Sequence, residues 1–157
     1  MMNTRKAIIE STELEMTITR TLNAPRSLVF SAWTESEHLE HWQNAPNGFT
    51  VPTHEVDFRV GGAYHICMRS PEGTDHWLQG TYRAIKKPER LVFTHTWLDA
   101  QGKPGKETLV TITFADHGKQ TELTLHQSGF QFVAERDDHV DGWNSSIDRF
   151  VEYLATL

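Results

Sequence analysis

The segment Val140-Asp141-Gly142-Trp143-Asn144-Ser145-Ser146-Ile147-Asp148-Arg149-Phe150-Val151-Glu152-Tyr153-Leu154 carries apolar side chains at 140, 143, 147, 150, 151 and 154. Steps of three, four and one gather them on one face of an α-helix with its 3.6-residue turn. With the residues before it, the helix is expected to run about five to six turns. Gly142 lies inside it, where glycine costs roughly 1 kcal/mol against alanine. Its place before Trp143 suggests a close approach of helix to sheet, or of helix to a ligand.

Working back from this helix, the chain changes period. Leu14, Met16 and Ile18 alternate with Glu15, Thr17 and Thr19, which predicts a strand from about Thr12 to Leu22. Asn23-Ala24-Pro25 breaks it, and a proline tolerates a first helical turn. Short helices are then expected over Pro25–Thr34 and Glu35–Trp42, ending in the turn Asn44–Gly48. Six further period-two segments follow. They are Val56-Phe58-Val60, Tyr64-Ile66-Met68, Asp75 to Ile85, Leu91-Phe93-His95-Trp97, Val110-Ile112-Phe114, and Leu123-Leu125 up to about Ser128. Short loops join them, so they should form one curved antiparallel sheet. Such a sheet buries its apolar face on a partner, and the C-terminal helix is the only long amphipathic one available. The expected class is α+β: a curved antiparallel sheet of about seven strands wrapped around a long C-terminal helix, with two short helices after the first strand. Trp143 is expected to be buried between them.

Composition narrows the function. The 157 residues fit one domain, with an ordered core expected over about 12–155. Fifteen basic against twenty-one acidic residues leave −6, and no basic run exceeds two residues, which disfavours phosphate-driven nucleic-acid binding. A single cysteine, Cys67, excludes an internal disulfide and a multi-cysteine zinc knuckle. No apolar stretch approaches the roughly 20 residues that cross a bilayer, so no membrane insertion is expected. The start shows no signal-peptide core, and a cytoplasmic location is expected. Nine histidines would carry the charge from −6 toward +3 if all were protonated, so solubility should be poorest at mildly acidic pH.

Several short motifs occur together in the chain: Ala24-Pro25 with Val29-Phe30-Ser31-Ala32-Trp33, Leu39-Glu40-His41-Trp42, Asp57-Phe58-Arg59-Val60-Gly61-Gly62, and Pro71-Glu72-Gly73. Gly80-Thr81-Tyr82, Pro88-Glu89-Arg90-Leu91-Val92-Phe93-Thr94, Thr121-Glu122-Leu123-Thr124-Leu125 and His139-Val140-Asp141-Gly142-Trp143 complete the set. In this order they resemble the START-related, polyketide-cyclase-like superfamily. The nearest branch is the AHSA type, named for the activator of the heat-shock-protein-90 ATPase. The resemblance covers about Thr17 to Leu154 and implies the helix-grip fold with a ligand cavity between sheet and helix. Two positions depart from the family pattern. Trp42 is followed by Gln43-Asn44-Ala45-Pro46 rather than an aromatic, glycine and proline. Gln127 stands where the family often has a histidine, and His126 is one residue away, on the opposite face of a strand.

The inward set Tyr64, Ile66, Met68, Phe93, His95 and Trp97, with Trp33, Trp143, Ile147 and Phe150, reads either as packed core or as the lining of that cavity. His95 between Phe93 and Trp97 is the most informative, because a buried polar ring needs a partner from protein or ligand. Arg136, two turns before Trp143, and His139, one turn before it, read either as solvent-facing or as polar anchors for a carboxylate or phosphate at the cavity mouth. Asp57 and Arg59, two apart on a strand, read as a structural pair at the Gly61-Gly62 bend. Cys67 has no evident base and is not expected to act as a nucleophile.

Three function classes remain open. The leading one is non-enzymatic binding of a small, mostly apolar or amphipathic ligand, without a cofactor. The second, implied by the resemblance, is an enzyme of the polyketide cyclase or hydrolase type using the same cavity, with His95 and Tyr64 as acid–base pair. The third is a chaperone partner that stimulates an ATPase, disfavoured because the eukaryotic co-chaperone carries an additional N-terminal domain. Oligomeric state is not legible. His38 and His41 have a metal-compatible spacing but no third ligand nearby in sequence, so no catalytic metal is expected. Elemental analysis after chelator-free purification should find no stoichiometric zinc; one zinc per chain would overturn this.

Overall fold

A computed structural model describes residues 14–43 and 45–157. Thr12 and Glu13 of the expected first strand, and Asn44, lie outside the described residues. Strand β1 (Leu14–Leu22) leads into helices α1 (Arg26–Thr34) and α2 (Ser36–Trp42). Strands β2 (Thr50–Val56), β3 (Ala63–Arg69), β4 (Asp75–Lys86), β5 (Arg90–Trp97), β6 (Thr108–His117) and β7 (Gln120–Phe130) then precede helix α3 (Val133–Leu154).

The seven strands form one sheet in the order β1-β7-β6-β5-β4-β3-β2, every pairing antiparallel. Strands β2 to β7 run as a meander, while β1 returns beside β7. That puts β1 and β2 on opposite edges, so the chain between them must cross the whole sheet. Helices α1 and α2 make that crossing. Pro25, extended at φ −69 and ψ 153, caps α1 at its N-terminus.

One expected strand is displaced. Val56-Phe58-Val60 does not form it: β2 ends at Val56, and Phe58 and Val60 are exposed. Beyond Val56 the backbone folds on itself, with the Arg59 and Gly62 amides donating to the Asp57 and Arg59 carbonyls. Gly62 has no room for a side chain there, since a Cβ would sit 2.0 Å from the Asp57 carbonyl oxygen. The true strand precedes this turn and contains Pro52, a residue that an edge strand tolerates and an interior strand does not. Asp57 and Arg59 do pair, Nε to Oδ2 at 2.9 Å, but in this exposed turn rather than on a strand.

The core lies where α1 and the C-terminal half of α3 meet the concave face. Trp33, Trp42 and Phe150 form a mutual aromatic cluster with ring centroids 4.5–5.0 Å apart. Trp42 is wholly buried, and its indole N–H donates to the Ala32 carbonyl at 2.9 Å. Ile147 and Phe150 have no exposed surface. Arg20, in the inward row of β1, holds the helix from below, 2.8 Å from Asp148 and 3.1 Å from the Asn144 side-chain oxygen.

Helix α3 is packed unequally. None of residues 133–145 is buried, whereas Ser146, Ile147 and Phe150 are. Trp143 is half-buried, so the expectation of full burial is met only in part. Val151, read into the apolar stripe, is 40% exposed, because one residue past Phe150 the helix has turned about 100° away from the sheet. Gly142 allows no close approach of helix to sheet: a Cβ there would meet nothing within 4 Å.

Truncations should follow this gradient. Phe150→Ala is expected to destabilise the domain by roughly 3–5 kcal/mol. Trp143→Ala should cost clearly less, because its ring is only half-buried. Urea unfolding of both variants checks this, and equal losses would contradict the uneven packing.

Candidate functional site

Where the first half of α3 stands away from the sheet, a cleft of about 350 Å³ opens between them. Its sheet wall comes from Met68 of β3, His76 of β4, and His95 and Trp97 of β5. Its helix wall comes from Asp138, His139, Gly142, Trp143 and Ser146, and Pro46 and Phe49 close one end. A second, smaller cavity of about 70 Å³ lies deeper, among Trp33, Tyr64, Ile66, Leu78, Tyr82 and Phe93. Met68, His95 and Trp143 border both, so these three side chains form the partition.

Hydrogen bonds fix most of the polar groups here. Trp97 donates its indole N–H to His139 Nε2 at 2.8 Å. His139 Nδ1 in turn lies 2.7 Å from the Glu135 carbonyl, to which it must donate. Both ring nitrogens are thereby engaged, Nδ1 as donor and Nε2 as acceptor. Trp143 donates its indole N–H to Gln127 Oε1 at 2.8 Å, and the Gln127 amide donates to Thr108 Oγ1 at 2.9 Å. Thr108 completes the chain by donating to the His95 carbonyl at 3.0 Å. Gln127, wholly buried, therefore sets the orientation of Trp143. The neighbouring His126 points to the outer face and donates to Glu15 Oε1 at 2.6 Å, as the one-residue offset requires.

His95 differs from these. Its ring is 6% exposed and lies among Trp97, His139 and Trp143, with centroids 5.3, 5.7 and 6.4 Å away. Among the described residues its ring nitrogens have no hydrogen-bond partner, and the residue borders both cavities. Burial, reinforced by His139, holds its pKa down at about 3, so the ring is neutral.

The residues singled out from sequence separate into groups. Trp97, His139 and Trp143 line the outer cleft; Tyr64, Ile66, Phe93 and Trp33 line the inner cavity; Met68 and His95 face both. Ile147 borders neither and belongs to the core. Arg136 borders neither as well, and its guanidinium turns to Asp137 on its own helix at 3.2 Å. With Arg136 turned aside and both His139 nitrogens engaged, the expected anion anchor is not assembled. Tyr64 is no proton donor to His95: its hydroxyl donates to the Thr94 carbonyl at 2.6 Å, and burial pushes its ionisation far up. Gly80 makes that contact possible, since a Cβ there would lie 2.6 Å from the Tyr64 hydroxyl.

Sequence reading missed Pro46 and Phe49, which reach the cleft from a loop, and His76, which strand parity could have found because it shares the inward face of Leu78 and Tyr82 and pairs with Met68. Asp138 and Ser146 were findable, being one helical turn either side of Gly142. The histidine pair on α2 serves the fold. His38 Nδ1 shares a 2.6 Å hydrogen bond with the Tyr153 hydroxyl, and His41 stacks on the same ring at 5.2 Å. A three-donor set does come together, contrary to the expectation: Glu35, Glu37 and His38 offer ligand atoms within 4.8 Å of one another. It lies at the start of α2, away from the cleft, and one His38 nitrogen is already engaged. Cys67 is buried, and burial followed by Asp75 pushes its thiol up, which opposes a nucleophilic role.

His95 makes stability pH-dependent. Unfolded, its imidazole takes a proton near pH 6.5; folded, it does so only near 3. Between these values the unfolded chain binds more protons, so stability falls as pH falls, by about 1.4 kcal/mol per pH unit at most. His95→Phe should remove this part of the slope. Urea unfolding of both proteins at pH 7 and 5 checks it, with wild type expected to lose roughly 1–2 kcal/mol more.

Comparison with known proteins agrees with this architecture. Among solved structures, an AHSA1 protein from Silicibacter pomeroyi superimposes with a TM-score of 0.84 at 25% identity, covering 91% of this chain and 99% of that one. A protein from Chromobacterium violaceum gives 0.79 at 27% identity, covering 88% and 94%. One from Rhizobium leguminosarum gives 0.77 at 20% identity, covering 92% and 96%, and shows the shared fold alone. No curated protein sequence matches the chain. The family model described as activator of Hsp90 ATPase homolog 1-like protein matches residues 23–155, from the end of β1 to the end of α3, and the chain belongs to that family.

Proposed function

We propose that the protein is a non-enzymatic binder of a small, mostly apolar ligand held in the cleft between the sheet and α3. The observation that carries this reading is His95, a nearly buried polar ring without a hydrogen-bond partner among the described residues, in a cleft whose exposed lining is mostly apolar. A cavity of about 350 Å³ is at the lower end of the size range for small-molecule sites. Burying apolar ligand surface against Met68, Phe49, Trp97 and Trp143 contributes roughly 25 cal/mol per Å² before association costs. A sugar would instead strand several hydroxyls, since the indole N–H groups of Trp97 and Trp143 are already taken. Relatives of this fold commonly bind ligands in the same place, which favours the reading. The enzymatic alternative is weakened by Tyr64, whose hydroxyl proton is committed to backbone.

Tryptophan fluorescence should report occupancy, because two of the five tryptophans line the cleft. Titration with fatty acids, fatty alcohols, flat aromatic compounds and sugars is expected to give saturable changes with apolar members and none with sugars. Trp143→Ala should weaken that binding more than it weakens folding. Binding confined to the sugars would overturn the proposal.

A further inference from the structure

We infer that Gly142 and His95 together select the occupant of the cleft: an uncharged molecule whose apolar body lies along α3 at Gly142 and whose one hydrogen-bonding group reaches His95. This rests on the binding role proposed above and adds the chemistry that the site accepts and rejects.

Gly142 is the first line of argument. It lies in the interior of a 22-residue helix, where glycine is the least favourable residue short of proline. The usual structural reasons for keeping one are missing. Its φ is not positive, and a Cβ would meet no protein atom within 4 Å. The space that a side chain would enter is the cleft itself, whose wall Gly142 shares with Trp143 and Asp138. The helix therefore gives up stability for volume that no protein atom uses.

His95 is the second, and it is independent of the first. Among the described residues its ring nitrogens have no partner, as those of the exposed His76 at the cleft's edge have none, while Trp97, Trp143 and His139 are all tied to protein partners. A neutral imidazole presents one N–H and one lone pair, and a single hydroxyl can satisfy either. Neither cavity is lined by a lysine or arginine; of the other imidazoles in the outer cleft, His139 has both ring nitrogens engaged and His76 lies at the exposed edge. A carboxylate brought to His95 would thus be desolvated with no lysine or arginine to meet it, in a cleft that also holds the Asp138 carboxylate.

Calorimetric titration at pH 7.5 with three molecules of one shape tests this: 2-naphthol, naphthalene and 2-naphthoate. Wild type should bind 2-naphthol at least about tenfold more tightly than either of the others. His95→Phe should erase the advantage of 2-naphthol over naphthalene. Gly142→Leu should weaken 2-naphthol by about tenfold or more while melting no lower than wild type, and Gly142→Ala should melt higher. Naphthoate binding as tightly as naphthol would overturn the inference. So would a preference for naphthol that survives His95→Phe, or a Gly142→Leu variant whose affinity stays within about twofold of wild type. Should fatty acids or naphthoate fill the cleft while 2-naphthol does not, this inference falls and the binding role stands. If no apolar compound binds at all, both fall.

Discussion

Phe150 entering the ring cluster of Trp33 and Trp42 is the contact on which the other features of the molecule depend. These three side chains come from three separate helices, and their rings lie 4.5–5.0 Å apart. Aromatic pairs at that spacing add to the burial of large apolar surfaces, so the cluster ties the crossing helices α1 and α2 to the end of α3. His38 and His41 reinforce it by clasping Tyr153 one turn further along. Arg149 adds bonds to the Pro46 and Phe49 carbonyls, which fixes the loop at one end of the cleft. The position of α3 is thus decided at its C-terminal half.

The N-terminal half follows from that anchoring. A rigid helix pinned at Ile147 and Phe150 extends over a sheet that twists beneath it, and before Ser146 no residue of α3 is buried. Space opens on the β3–β5 side, and polar groups that would otherwise be stranded are tied in chains. Trp143 reaches Gln127, and Trp97 reaches His139. His95 is left between the two chains. The same geometry that makes the helix grip at one end leaves a binding volume at the other, so stability and binding belong to different halves of one helix.

Most of the fold was legible because both patterns are local. Alternation in β1 and β3 to β7, and the 143-147-150 spacing in α3, require only the fixed periods of strand and helix. The failure at Val56-Phe58-Val60 has a matching cause: alternation without a partner strand is only a pattern, and the backbone bonds of Asp57 and Arg59 override it. Inward residues such as Met68, Phe93, His95 and Trp97 could be named from strand parity. Which of them are core and which border a cavity could not, since parity reports a face and not what stands opposite.

Sequence alone determined that there is a curved antiparallel sheet, a long C-terminal helix to fill it, and a buried histidine between aromatic neighbours. It also carried Gly142 as an anomaly and the His126–Gln127 offset as a change of face. Only the tertiary structure decided that Ile147 is core, that Arg136 turns to Asp137, that His139 is spent on Trp97 and Glu135, and that the His95 ring has no partner among the described residues. The physical reason is range. Periodicity is written by neighbours within a few residues, whereas hydrogen-bond satisfaction and empty volume depend on groups some forty residues or more apart, such as Trp97 and His139, that meet only when helix and sheet are packed.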